Sequence, residues 1–135
     1  MNESTQRYSR LILDHFLNPR NAGVLPDANA VGEVGAAVFG DVMKLSLRIR
    51  EGRIEAARFQ AFGCGTAIAT ASAMTVLIQG RTVDEALQLS NQQIIDELGG
   101  LPPEKVHCSM LAEEAIKAAL QDYQRRQKQE SSPAP

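Results

Sequence analysis

Four side chains in this sequence have the types and placement to hold a metal or move sulfur: the thiols of Cys64 and Cys108, the imidazole of His107 and the carboxylate of Asp41. His107 and Cys108 are adjacent, within LPPEKVHCS at 101–109. Pro102 and Pro103 should make the approach extended and stiff. Beyond them Leu111, Ala115 and Ala118, with Ile116, Leu120 and Tyr123 on neighbouring rows, recur at helical spacing. Ser109 or Cys108 is therefore expected near the cap of a last helix. A thiol there meets unpaired N–H groups and the positive end of the helix dipole, which favour its thiolate. His107 can ligate a metal or carry a proton. Lys105 is solvated in the plainest reading, but a cation beside two thiols also lowers their pKa.

The elements that must position these groups are legible by periodicity. Residues 4–17 read as an amphipathic helix with Tyr8, Leu11, Ile12 and Phe16 on one face, Ser4 or Thr5 as cap, and Asn18-Pro19 as its end. His15 on that helix is expected to pack or cap locally rather than ligate. Residues 18–29 read as loop. Residues 31–38 suit a first, edge strand. Residues 42–50 alternate apolar with polar and form a strand with one buried face. Glu51-Gly52-Arg53 serves as a three-residue loop, and residues 54–62 return. Pairing Arg50 with Ile54 sets Leu45 by Phe59 and Leu47 by Ala57. It also brings Gly40-Asp41 level with Gly63-Cys64, close enough for Asp41 and Cys64 to share an ion. Glycines 40, 63 and 65 let the backbone turn and leave room there.

Residues 65–79 are small or apolar all round, as in a buried helix ended by Gly80. Cys64 thus precedes one helix as Cys108 opens another. Residues 82–89 and 91–98 read as short helices capped by Thr82 and Asn91. The whole is an α/β (α+β) domain, a small three-stranded antiparallel sheet packed with about five helices. Residues 1–124 form one domain, and 125–135 are expected to be a disordered tail.

Composition narrows the function. The chain has 135 residues, of which 44% are hydrophobic and 22% charged, so one globular domain with a real core is expected. A net charge of −2 argues against a nucleic-acid partner. No run reaches the roughly 18 apolar residues of a membrane span, and MNESTQRYSR lacks an apolar signal core, so a cytoplasmic protein is expected. With two cysteines in a reducing compartment, reactive or metal-bound thiols compete evenly with a bridge. Singly, Cys64 reads as a small hydrophobe, His107 as a surface residue and Asp41 as a turn residue. Jointly, two thiolates, an imidazole and a carboxylate match a four-coordinate zinc or iron site.

Four stretches carry a wider resemblance: YSRLILDHFLNPRNAG near the start, GDVMKL at 40–45, ARFQAFGCGTAIATAS at 57–72 and LPPEKVHCSMLAEEAIKAAL at 101–120. From Tyr8 to about Tyr123 the chain resembles the IscU/NifU N-terminal family of iron–sulfur cluster assembly scaffolds. The resemblance implies an exposed site where a [2Fe-2S] cluster is built from iron, supplied by an iron donor, and from sulfur supplied by a cysteine desulfurase. The cluster is then passed on with an Hsp70-type chaperone and co-chaperone. Asp41, Cys64, His107 and Cys108 fall on the family's ligands, and Lys105 on a lysine beside them.

Two departures shape the expectation. Where the family has a third cysteine two residues before the Asp, this chain has Phe39, which can neither ligate nor accept a persulfide. Two thiolates should hold a cluster more weakly than three, and Zn²⁺ or Fe²⁺ would be well matched. Glu104 replaces the valine of the family's L-P-P-V-K segment, which should weaken chaperone binding. The reading is thus a scaffold or a site-altered paralogue, a monomer or weak dimer that carries rather than turns over a substrate. Cys108 is its persulfide acceptor and Lys105 an auxiliary. The alternatives are a zinc-bound persulfide acceptor of sulfurtransferase type, and a desulfurase-binding regulatory module that builds no cluster.

Overall fold

The computed structural model describes residues 9–36 and 40–131. In chain order these form α1 (Arg10–Leu17), β1 (Ala30–Ala36), β2 (Asp41–Arg50), β3 (Arg53–Phe62), α2 (Gly65–Ile78), α3 (Val83–Leu87), α4 (Asn91–Glu97), a 3₁₀ turn (Pro103–Lys105) and α5 (Val106–Ser131). The strands make one antiparallel sheet in the order β1-β2-β3. That is the expected architecture, with β1 at an edge.

The period-two pattern of β2 decides which face of the sheet is buried. Met43, Leu45, Leu47 and Ile49 all point into the core, and Leu45 and Leu47 pair with Phe59 and Ala57 as expected. Each such apolar side chain contributes about 1.5–3 kcal/mol when fully buried. The turn differs from the expected one. Only Glu51 and Gly52 lie outside the ladder, both with positive φ (54° and 76°), and Arg50 pairs with Arg53 rather than Ile54. This is the tight hairpin turn whose twist matches that of the strands. A bulge beside Arg48 and Ile49 leaves Glu55 over and restores the register further along.

α2 and α5 cover the inner face. In α2 Ala67, Ala69, Ala71, Ala73 and Met74 are buried together with Thr66, Thr70, Ser72 and Thr75, which explains its small, even composition. α5 lies against β1 and β2 through Ala112, Ala115, Ile116, Ala119 and Leu120. The two approach so closely that a Cβ on Gly32 would stand 2.4 Å from the Ala119 nitrogen. The Asp122 carboxylate accepts the Val31 N–H at 2.9 Å and pairs with Arg125 and Arg126 at 2.7 and 3.0 Å, tying α5 to the sheet edge. Those ties help carry the helix past Tyr123. The segment expected to be a disordered tail from residue 125 is helical as far as Ser131.

α1 is capped by Ser9, whose hydroxyl accepts the Ile12 N–H at 3.0 Å; Ser4, Thr5 and Tyr8 lie outside the described residues. Its buried residues are Ile12 and His15, whereas Leu11 and Phe16 are exposed. The expected face is rotated because His15 finds a polar partner inside: its Nδ1 lies 2.8 Å from the Ser72 hydroxyl, which also accepts the Arg20 N–H at 2.8 Å. The caps of the short helices are Thr82 and Ser90, each closing a capping box with Glu85 and Gln93. Ser90 displaces the expected Asn91 because its hydroxyl reaches the Gln93 N–H three residues on.

Candidate metal and sulfur centre

Asp41 opens β2 opposite Gly63, the residue that follows β3. Its side chain turns inward, and the residue is 7% exposed. Gly63 is what makes this room: at φ 145°, a Cβ there would sit 2.0 Å from Asp41 Oδ1. That oxygen accepts the Cys64 N–H at 3.2 Å, so Asp41 fixes the backbone on which the first thiol rides. Cys64 caps α2, as expected; its side chain makes no capping bond, and the residue is partly exposed on a cleft wall.

The second thiol arrives differently from expectation. Pro102 is extended (φ −57°, ψ 142°), but Pro103 opens the 3₁₀ turn and α5 begins at Val106. Cys108 therefore lies inside the first turn of α5, not at its cap. Ser109 donates to the Val106 carbonyl at 2.7 Å instead of capping. One helical turn is enough to bury Cys108 completely. Burial pushes its thiol up to about 12, helped by the neighbouring Cys64 thiol and the Asp41 carboxylate, with Lys105 opposing. The expected thiolate is overturned in the metal-free protein. Desolvation of a buried anion outweighs the helix dipole and the cation.

His107 bridges the two halves. Its Nε2 lies 3.1 Å from Asp41 Oδ2 and 3.6 Å from Cys108 Sγ, and the ring is half exposed. Asp41, His107 and Cys108 bring one ligand atom each within 4.8 Å of one another. Cys64 is not among the ligand atoms gathered within that distance; it stands beside the trio, its N–H held by Asp41 and its side chain on the wall of the cleft that Asp41 and His107 also line. Such a set of one oxygen, one nitrogen and two sulfurs fits a tetrahedral ion of the zinc or iron type. Asp41, Cys64, Lys105 and His107 line an open cleft of about 470 Å³. Cys64 and Lys105 also border a second, apolar crevice of about 200 Å³ against Ile12, Leu13 and Phe16. Phe39 lies outside the described residues. The turn and the room at Gly63 were expected from the sequence; that the room seats the Asp41 carboxylate, and that α1 supplies an apolar wall, went unread, because an exposed Phe16 leaves no periodic signal.

A three-stranded sheet backed by helices, with a carboxylate, an imidazole and a buried thiol gathered at one end, defines a small α+β domain with a candidate metal site there. More particularly, the chain belongs to the NifU-like N-terminal domain family, whose profile matches residues 7–130. It is 50% identical to the iron–sulfur cluster assembly scaffold protein IscU of Azotobacter vinelandii over 88% of this chain and 95% of that protein. It is 46% identical to the iron–sulfur cluster assembly scaffold protein IscU 1 of Archaeoglobus fulgidus, over 88% of this chain and 78% of that one. In shape it is similar to the N-terminal part of a nitrogen-fixing NifU-like protein from Brucella abortus, with a TM-score of 0.70 at 18% identity, covering 92% and 99% of the two chains. That likeness concerns the fold. Among the described residues no helix is long and apolar enough to cross a membrane.

Proposed function

We propose that this chain is an iron–sulfur cluster assembly scaffold, which receives iron from a donor and sulfur from a cysteine desulfurase. It holds Fe²⁺ or a labile [2Fe-2S] cluster as cargo on Asp41, Cys64, His107 and Cys108. The observation that carries this reading is the convergence of Asp41, His107 and Cys108 within 4.8 Å, with the Cys64 N–H held by the same Asp41 carboxylate at 3.2 Å. High identity to IscU scaffolds over most of the chain supports the same reading.

Roles follow from the geometry. In this reading Cys108 takes up sulfur as a persulfide; it is buried, with its thiol pushed up to about 12, so it must first give up its proton, a loss favoured by Lys105 on the wall of the adjoining cleft, its auxiliary. A metal entering must displace the Cys108 proton, and His107, 3.6 Å away and half exposed, is placed to carry that proton to the cleft. Asp41 ligates through the oxygen facing His107 while the other holds the Cys64 N–H. The protein acts as a carrier in a reducing compartment such as the cytoplasm, where its two thiols remain free. A chaperone of Hsp70 type, with its co-chaperone, would meet Glu104 exposed on the 3₁₀ turn, a charge that disfavours an apolar contact.

Anaerobic reconstitution with ferrous iron, cysteine and a desulfurase tests this. The expected product shows the visible absorbance of a [2Fe-2S] centre, and Cys64→Ser or Cys108→Ser loses it. A protein that stays colourless and binds Zn²⁺ with the same four side chains would support the second reading, a zinc-bound persulfide acceptor. The donor set, with two sulfurs rather than three, favours that reading specifically.

A further inference from the structure

The two edges of the sheet are finished differently. The β3 edge is closed. The Phe59 N–H donates to the Asn21 carbonyl at 2.9 Å and its carbonyl accepts the Gly23 N–H at 2.8 Å. Ile54 does the same with Arg81 and Gly80, and the Ala57 N–H donates to the Gln79 side chain at 3.0 Å. On β1 the bond from the Val31 N–H to the Asp122 carboxylate, 2.9 Å long, fixes which backbone groups point away from β2. Every second residue of an antiparallel pair shares that direction, so Glu33 and Gly35 turn their N–H and C=O groups outward with Val31. Both residues are exposed, and among the described residues nothing bonds those groups. We propose that this edge takes an extended segment of a partner protein as a fourth strand, with a lysine or arginine of that segment set beside Glu33.

Strand addition draws affinity from the main chain and specificity from side chains at alternate positions. An open edge invites any strand, so the side chains beside it decide what is admitted. Glu33 stands on the outer face opposite Lys44, and among the described residues it makes no ion pair. A cation on the added strand continues the alternation of charge from Lys44 through Glu33, and directly opposed unlike charges favour pairing. A second copy of the chain fits worse. In the two-fold register of fullest overlap the two Glu33 carboxylates oppose one another, and like charges there disfavour pairing. The Asp122 carboxylate on Val31 stops the edge at that end, so the added strand runs toward Ala36, which pairs with Asp41. Neighbouring strands lie about 4.8 Å apart, so the partner's chain ends within about 10 Å of the Asp41 backbone. It is held at the site end of the sheet through contacts that use none of the four candidate ligands.

Nuclear magnetic resonance on the isotope-labelled full chain tests this with an acetylated, amidated heptapeptide of alternating valine and threonine whose central residue is lysine. The peptide should shift the amide signals of Val31, Glu33 and Gly35 saturably and slow amide exchange at Glu33 and Gly35. The same peptide with glutamate at its centre should bind about tenfold more weakly, and Glu33→Gln should bring the two to within about twofold. With the lysine opposite Glu33, the lysine and threonine nitrogens of the peptide face the edge. Methylating them should abolish binding, whereas methylating the valine nitrogens should spare it. No saturable shift at the edge, or an equal effect of both methylation patterns, overturns the proposal. So does a lysine preference that is missing or that survives Glu33→Gln. Exchange at Glu33 and Gly35 that slows with the concentration of the chain alone means a second copy occupies the edge, and overturns it as well. None of these readouts involves metal or sulfur, so the scaffold reading stands or falls separately, on the reconstitution experiment.

Discussion

Gly63→Ala is the sharpest perturbation of the site that replaces none of its four candidate side chains. Gly63 and Gly40 flank Asp41 and both carry positive φ, 145° and 77°. A Cβ at Gly40 meets nothing within 4 Å, whereas at Gly63 it would stand 2.0 Å from Asp41 Oδ1, far inside the 3.4 Å where ordinary contact begins. Gly40→Ala should therefore cost only backbone strain, about 1–2 kcal/mol. Gly63→Ala adds displacement of a buried carboxylate and loss of its charged bond from the Cys64 N–H, worth about 1.5–3 kcal/mol. Urea denaturation of metal-free protein should thus place Gly63→Ala about 1.5–3 kcal/mol below Gly40→Ala. Zinc or cobalt titration should show the same order, with Gly63→Ala weakened through the displaced Asp41 and Gly40→Ala near the native affinity. Equal destabilisation by the two substitutions, or native metal affinity in Gly63→Ala, would refute the reasoning that Gly63 exists to seat the carboxylate.

Alkylation offers a second check: with its thiol pushed up to about 12 by burial, metal-free Cys108 should react far more slowly than Cys64 at pH 8, and a half-maximal rate near neutral pH would contradict it. His15 supplies a pH dependence. Burial first, then Arg20, hold its pKa below the ordinary value of 6.5, so the unfolded chain binds the proton more tightly than the folded one. That stability is present above about pH 6.5 and is lost as pH falls below it; thermal melts of His15→Gln should lose this slope, and an unchanged slope would exclude His15 as its source. Gly32→Ala should force α5 off the sheet, since the added carbon would lie 2.4 Å from the Ala119 nitrogen and 2.9 Å from the Ala115 oxygen. Such overpacking costs about 1–3 kcal/mol, measurable as a lower urea midpoint, and a neutral substitution would mean the helix is free to shift.

Local patterns decided most of the fold. The alternation in β2 dictated its buried face, the small-residue run dictated a buried α2, and Thr82 dictated its cap, because each signal is a repeat or a side chain acting within a few residues of its own position. The candidate site side chains were legible for the same reason, and the hairpin register alone brought Asp41 to the level of Cys64. What the sequence could not settle is where long-range packing overrides a local preference. A bulge at Glu55 replaced the simple register, His15 turned inward to Ser72, and α5 ran on to Ser131 under the hold of Asp122. Most consequentially, starting α5 two residues before Cys108 placed that sulfur beneath the surface, so a group that reads as a thiolate is kept a thiol. A helix end is a local property and can be read from the chain. The dielectric around an atom is set by everything packed against it, and only the folded molecule supplies that.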